Sequence, residues 1–245
     1  MKGWVLILGA TSAIARATAS TLAAAGYHLC LAGRDIDELE RDATNLAIRF
    51  GNQTCHREFD VDRLETHGAF FSEVQSLPGG IDGVVVAVGY LGDSPSSRNQ
   101  PQLQRVLLTN FVGPAAILAL CADYLEARRT GFIVGISSVA GDRGRQSNYV
   151  YGAAKGGFSI YLQGLRNRLF PSGVTVVDVK PGFVDTPMTY GLPGMFLVAS
   201  PAYVGERIVR AVLARRDVIY VPWFWRYIML IIRHIPEKIF KRLKL

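Results

Sequence analysis

Strand-like runs of four to six residues alternate with amphipathic stretches of helix length along the whole of this 245-residue chain. The runs lie at 4–8, 28–32, 53–58, 83–88, 132–136, 174–179 and 218–221. The helical patterns between them cover 14–25, 35–50, 63–76, 99–128, 150–169 and 201–215. Parallel strands need a crossover of a dozen or more residues, usually a helix, and such helices cover the sheet from both sides. The pattern therefore predicts an α/β fold with a doubly wound parallel sheet of about seven strands. No linker, repeat or low-complexity tract interrupts it, so residues 1–221 read as one domain and 222–245 as an extension. Charged residues are only 19% of the chain and apolar ones 49%, which requires a large core or an apolar surface patch.

Open α/β sheets bind ligands outside the carboxyl ends of their strands, so the segments after each run carry the function. The first run leads into Gly9-Ala10-Thr11-Ser12-Ala13-Ile14-Ala15 and then a helix. Such a Rossmann-like strand–turn–helix aims helix N-terminal amides at an anion, typically a dinucleotide pyrophosphate. Gly9 supplies the tight turn, Thr11 and Ser12 offer hydroxyls and caps, and Ala13 and Ile14 carry first-turn amides. After the second run, Gly33 stands where NAD-binding folds keep an acid for the ribose 2′-hydroxyl, and Arg34 follows at once. A guanidinium there suits a 2′-phosphate, so NADP(H) is expected over NAD(H); the competing reading is a solvated arginine at a helix start. Asp60-Val61 follows the third run, where a carboxylate can take the adenine amino group.

The chemistry-bearing stretch is Ser137-Ser138-Val139-Ala140-Gly141, followed by Tyr151-Gly152-Ala153-Ala154-Lys155. Tyr151 and Lys155 lie one turn apart on a helix face. A free phenol titrates near pH ~10, and a neighbouring ammonium stabilises the phenolate and lowers that value. Ser138, at the carboxyl end of the run at 132–136, would converge on the same point. Together these are an acid, a pKa tuner and a carbonyl polariser. Y-x-x-x-K alone is a weak pattern, equally compatible with an exposed helix.

The net charge of +7 is concentrated at one end. Between Arg226 and Leu245 stand Arg226, Arg233, Lys238, Lys241, Arg242 and Lys244 against Glu237 alone, so five of the seven net charges sit there. They are interleaved with Trp223, Phe224, Trp225, Tyr227 and a run of aliphatics, in segments divided by Pro236. This pattern fits an amphipathic helix lying in an anionic interface, hence a cytoplasmic protein peripheral on the inner membrane face. A homo-oligomeric interface or a cover for the sheet is the alternative. Nucleic acid is not expected, because large aliphatics break up the basic residues. No stretch approaches the ~18 uninterrupted apolar residues of a membrane span, and the apolar core at 4–8 is too short for a signal peptide. Cys30, Cys55 and Cys121 are scattered and odd in number, which reads as small core side chains in a reducing compartment. His28, His56, His67 and His234 show no ligand spacing, so no metal is expected. The loop at 185–200 holds Met188, Tyr190, Leu192, Met195, Phe196 and Leu197. Its length suits a lid, facing either a greasy substrate or the core. Arg143 and Arg145, between the serine and the tyrosine, meet either a substrate phosphate or solvent.

The Gly9–Ala15 turn, Asp60, Gly89, Asn110, Ser138, Tyr151, Lys155 and Pro181-Gly182, in that order and spacing, resemble the short-chain dehydrogenase/reductase family over nearly the whole chain. Three features depart from it: Leu8 precedes the glycine of the turn, Ala13 and Ala15 replace its later glycines, and Val86-Ala87-Val88-Gly89 stands for the family's N-A-G element. The resemblance implies that hydride from NADPH reaches a carbonyl carbon while Tyr151 protonates the alkoxide. Lys155 would also hold the nicotinamide ribose, Ser138 would bond the carbonyl oxygen, and Asn110 would brace a relay water. Val184 and Thr186, with Pro181 and Gly182, would meet the carboxamide. Locally, the chain is most similar to reductases of polyprenyl-phosphate-linked keto-sugars, of the decaprenylphosphoryl keto-pentose kind. The similarity lies in Gly89-Tyr90-Leu91-Gly92-Asp93, in 137–155 with Arg143, Arg145, Ser147 and Asn148, in 181–189 and in 234–242. A carbonyl reductase of a small-molecule or lipid-linked substrate is thus expected. Its rivals are a soluble reductase of a steroid-like or acyl substrate and a non-catalytic nucleotide sensor.

Overall fold

The structure, a computed structural model, describes residues 2–92, 99–191 and 196–243. Asp93, Leu192, Met195, Lys244 and Leu245, named above, lie outside the described residues. Seven parallel strands form one sheet: β1 (Trp4–Leu8), β2 (His28–Gly33), β3 (Thr54–Glu58), β4 (Ile81–Val86), β5 (Phe132–Ile136), β6 (Thr175–Pro181) and β7 (Val218–Val221). Their spatial order is β3-β2-β1-β4-β5-β6-β7. The order reverses at β1, which opens a crevice between the loops after β1 and β4, the doubly wound arrangement expected from the sequence.

Helices cover both faces. On one lie α1 (Ala13–Ala24), α2 (Ile36–Phe50) and α7 (Pro201–Leu213), whose Leu22, Leu39 and Ile208 pack on Val5, Ile7, Leu31, Val134 and Val179. On the other lie α3 (His67–Gln75), α4 (Gln100–Leu107), α5 (Gly113–Arg128) and α6 (Tyr149–Leu169). There Phe71, Leu118, Leu125, Phe158 and Leu162 meet Leu6, Leu8, Val84 and Ile133. Successive residues of β1 thus feed opposite layers, and each such buried side chain stabilises the fold by roughly 1.5–3 kcal/mol. Helix starts follow local chemistry. Ser12, Asp35, Asn99 and Ser200 accept from the backbone amides of Ala15, Glu38, Gln102 and Tyr203.

The single helix expected at 99–128 divides in the structure. Between α4 and α5 runs a wider π-type turn, Leu108–Val112. Pro114 has no N–H to give to the carbonyl of Asn110, and Gly113 sits so close to Val61 that a Cβ would lie 2.3 Å from its carbonyl oxygen. The segment Gln100–Arg128 is long enough to cross a bilayer, and an 18-residue window within it reaches a mean hydropathy of 1.7. It is instead a core helix here, with Ile117, Leu118, Cys121, Ala122 and Leu125 fully buried.

After β7 the chain folds back as α8 (Trp225–His234) and α9 (Glu237–Phe240). Trp225 and Met229 pack with Val139, flanked by Phe183 and Tyr220. Arg143 fastens the far end: it donates to the Arg233 carbonyl at 2.9 Å and Glu237 Oε2 at 2.7 Å, and its guanidinium lies 4.2 Å from the Phe240 ring. Arg143 is thus committed to the extension.

Candidate active site

At the end of β1, Gly9 has φ +75°, and a Cβ there would approach Val88 Cγ1 to 2.8 Å and the Ala87 backbone to 3.0 Å. Only glycine meets both demands. The Gly9 and Ala10 amides donate to the Ala32 carbonyl at 2.9 and 3.1 Å, which locks the turn against β2. Ser12 caps α1 through the Ala15 amide and donates to the Ala87 carbonyl at 3.3 Å. The first-turn amides of Ala13 and Ile14 have no carbonyl partner within the helix, and both residues line the cleft. Arg34 is exposed at the cleft rim and makes no ion pair among the described residues. Asp60 Oδ1 accepts the Asp62 amide at 3.0 Å, and Asp62 in turn accepts from Thr109 at 2.7 Å, joining the β3 loop to the π-type turn.

The other end is assembled from side chains. Gly152 and Gly156 let α6 touch the short 3₁₀ turn Val139–Asp142, since a Cβ on either would lie 2.8 Å from the carbonyl oxygens of Ala140 and Gly141. That contact sets Ser138 beside Tyr151. Lys155 is buried, and its ammonium donates to the carbonyls of Ile136 at 2.9 Å and Val88 at 3.3 Å, across the ends of β5 and β4. It lies 5.9 Å from the centre of the Tyr151 ring. Burial lowers the Lys155 pKa to about 8, opposed by the charge of Asp178. Burial pushes the Tyr151 phenol up to about 12, opposed by its hydrogen bond with Ser138. This reverses the expectation that Lys155 lowers the tyrosine pKa. The cost of a desolvated phenolate dominates, and the serine supplies the opposing influence.

One cleft of about 420 Å³ collects Gly9, Thr11, Ser12, Ala13, Ile14, Arg34, Asp60, Val61, Gly89, Ser138, Tyr151, Lys155, Pro181, Gly182, Val184 and Thr186. Asn110 stands behind its wall. The Asn110 amide donates to the carbonyls of Tyr90 at 2.7 Å and Val106 at 2.8 Å and accepts from the Tyr90 amide at 3.2 Å. Both of its hydrogens are used on backbone, so it clamps the segment after β4. Arg145 does not line the cleft; it reaches the Val139 carbonyl at 3.5 Å.

Several lining residues escaped the sequence reading. Arg105 lies over the Tyr90 ring at 4.6 Å, and Thr109, Pro187 and Thr189 complete the wall beside Met188 of the loop read as a lid. Beneath Ser138, the carboxylate of Asp178 accepts from Ser137 and Ser159 and lies 3.8 Å from the Lys180 ammonium. Lys180 and Tyr220 both reach Asp142, at 2.6 and 2.7 Å. Two charged residues alternating inside an otherwise apolar strand, Asp178 and Lys180, were the available signal. Gly182 also admits the extension: a Cβ there would lie 1.9 Å from Trp225 Nε1.

The family described as short chain dehydrogenase matches residues 3–193. An uncharacterized oxidoreductase of Mycobacterium tuberculosis is 32% identical over 240 residues, covering 98% of this chain and 96% of that protein. Among solved structures, a short-chain dehydrogenase from Sphingobium yanoikuyae in complex with NADPH superposes with TM-score 0.82 at 24% identity, covering 96% and 97% of the two chains. An actinorhodin polyketide ketoreductase variant with NADPH gives 0.81 at 23% identity, over 91% and 97%. At these identities the superpositions speak for the fold alone.

Proposed function

We propose that this chain, which belongs to the short-chain dehydrogenase family, is an oxidoreductase that reduces a ketone with NADP(H) in preference to NAD(H). The observation that carries the reading is the cleft holding Ser138, Tyr151 and Lys155 at one end and Arg34 at the other. The donor set fits a nicotinamide dinucleotide. The Ala13 and Ile14 amides would hold its pyrophosphate, Arg34 a 2′-phosphate, Asp60 and Val61 the adenine side, and Pro181, Gly182, Val184 and Thr186 the carboxamide side. Once bound, the cofactor supplies the hydride.

The chain's own residues handle charge and protons. Ser138 donates to the carbonyl oxygen and stabilises the charge that grows on it. A phenol held near 12 stays protonated through the neutral range, and Tyr151 passes that proton to the alkoxide. Lys155 bridges the two strand ends and keeps a positive charge facing the cleft. Asn110 acts through the backbone it clamps at Tyr90.

The substrate is proposed to be amphiphilic, such as a lipid-linked keto-sugar. Met188, Tyr190, Phe196 and Leu197 are each more than two-fifths exposed, which supports an apolar acceptor surface near the rim. The test is NADPH oxidation over a panel of ketones with and without an alkyl chain. We expect turnover with at least one of them and a loss of about a thousandfold in Tyr151→Phe. Unchanged turnover in that variant would overturn the assignment of the acid, and a better rate with NADH would overturn the cofactor.

A further inference from the structure

The sequence predicts a basic amphipathic tail; the structure shows which of its faces is already in use. Trp225 and Met229 turn inward and are buried, whereas Tyr227, Leu230 and Ile231 form the outward stripe of α8 at 57%, 53% and 69% exposure. Trp223, whose ring lies 6.0 Å from that of Tyr227, extends the stripe at 62% exposure, and Ile239 of α9 is exposed to 54%. A soluble protein seldom leaves such a stripe bare. Around it stand the exposed cations Arg226, Arg233, Lys238, Lys241 and Arg242. The one acid among these described residues, Glu237, is already paired with Arg143 at 2.7 Å.

We infer that this outward face docks on an anionic lipid bilayer. The charge decides among occupants. A second copy of the same face would set five cations against five, and a nucleic acid would leave Leu230 and Ile231 without an apolar partner. An anionic headgroup layer over an acyl boundary satisfies both kinds of side chain, and the aromatic residues suit the boundary between them. The opposite, inner face of the same helix joins the cleft wall. Phe196 stacks 5.5 Å from Trp225 and 5.7 Å from Phe183, which stands between the lining residues Gly182 and Val184. Docking through the outer face of α8 therefore engages a helix whose inner face is packed against the cleft wall at Gly182.

Sedimentation of the full-length protein with phosphatidylglycerol-containing vesicles, against pure phosphatidylcholine vesicles, tests this without any turnover, so it fails or succeeds separately from the reductase reading. Binding to anionic vesicles is expected to be at least tenfold tighter and to weaken as salt is raised. Two variants of exposed residues, Leu230→Ser/Ile231→Ser and Arg226→Glu/Lys241→Glu, are each expected to lose at least tenfold in vesicle affinity with an unchanged melting temperature. Equal binding to both vesicle types, no binding, or wild-type binding by both variants would overturn the inference. So would a dimer seen by light scattering that Leu230→Ser/Ile231→Ser dissolves, which would assign the face to a second copy.

Discussion

One end of the cleft is made of backbone and the other of side chains. Around Gly9 most groups lining the cleft are main-chain amides aimed by a turn and a helix start, and Arg34 and Asp60 add side-chain charges. Around Tyr151 every reacting group is a side chain, and main-chain carbonyls serve only to hold it, as Ile136 and Val88 hold Lys155. The first end should therefore tolerate changes of side chain that keep the turn. The second should fail when a single functional group is removed.

Lys155→Met is the severest test of that contrast beyond the tyrosine itself. It deletes the cation and leaves two buried carbonyls without a donor, so kcat/KM for the proposed reaction should fall by about a thousandfold. The wild-type pH profile sharpens the same point. The kcat/KM ratio reports groups of the free enzyme, and burial lowers Lys155 to about 8. Activity should hold below that pH and decline as pH rises through it. Tyr151, held near 12, keeps its proton throughout that range. A profile flat through pH about 8 would show that the charge of Lys155 is not required.

The contrast also explains what the sequence disclosed. A backbone-built end is written in local grammar: a glycine, a cap and a helix start at fixed spacing, which is why Gly9 to Ile14 and all seven strands could be read without coordinates. The strand ends shifted by up to two residues, as β4 stops at Val86 and not at 88. Contacts between distant segments had no such grammar. The break at Pro114 was visible as a residue, but the close approach of Val61 to Gly113 beside it was not. The tyrosine pKa went the other way because burial, a property of the assembled cleft, outweighs the opposing hydrogen bond with Ser138. Arg143 was placed between a phosphate and solvent, yet its partners Arg233 and Glu237 lie some ninety residues away.

Gly33→Asp tests the role given to the Arg34 side chain at the backbone end. Gly33 has no positive φ, and a Cβ there would meet Leu39 at an ordinary 3.7 Å, so the fold should accept the change. A carboxylate beside Arg34 offers acceptors to a 2′-hydroxyl and repels a 2′-phosphate. Losing one charge-assisted contact corresponds to roughly a 10–100-fold weaker NADPH affinity, with NADH unchanged or improved. Fluorescence titration of both nucleotides gives the ratio. An unchanged ratio would mean that Arg34 is only solvated and that no side chain reads the 2′-position at this end.

Ser12→Ala should have the smallest effect, and it discriminates most finely. The hydroxyl caps α1 at the Ala15 amide and ties it to the Ala87 carbonyl, while the Ala13 and Ile14 amides belong to the main chain and remain. Loss of the cap should cost about 1 kcal/mol, a fall of roughly 2–4 °C in Tm for a chain of this size. Nucleotide affinity should change by less than about threefold, because alanine leaves the donors and the helix start in place. A stable variant with tenfold weaker nucleotide binding would reverse the assignment. The serine hydroxyl would then be a ligand in its own right, and the two ends of the cleft would differ less than their geometry indicates.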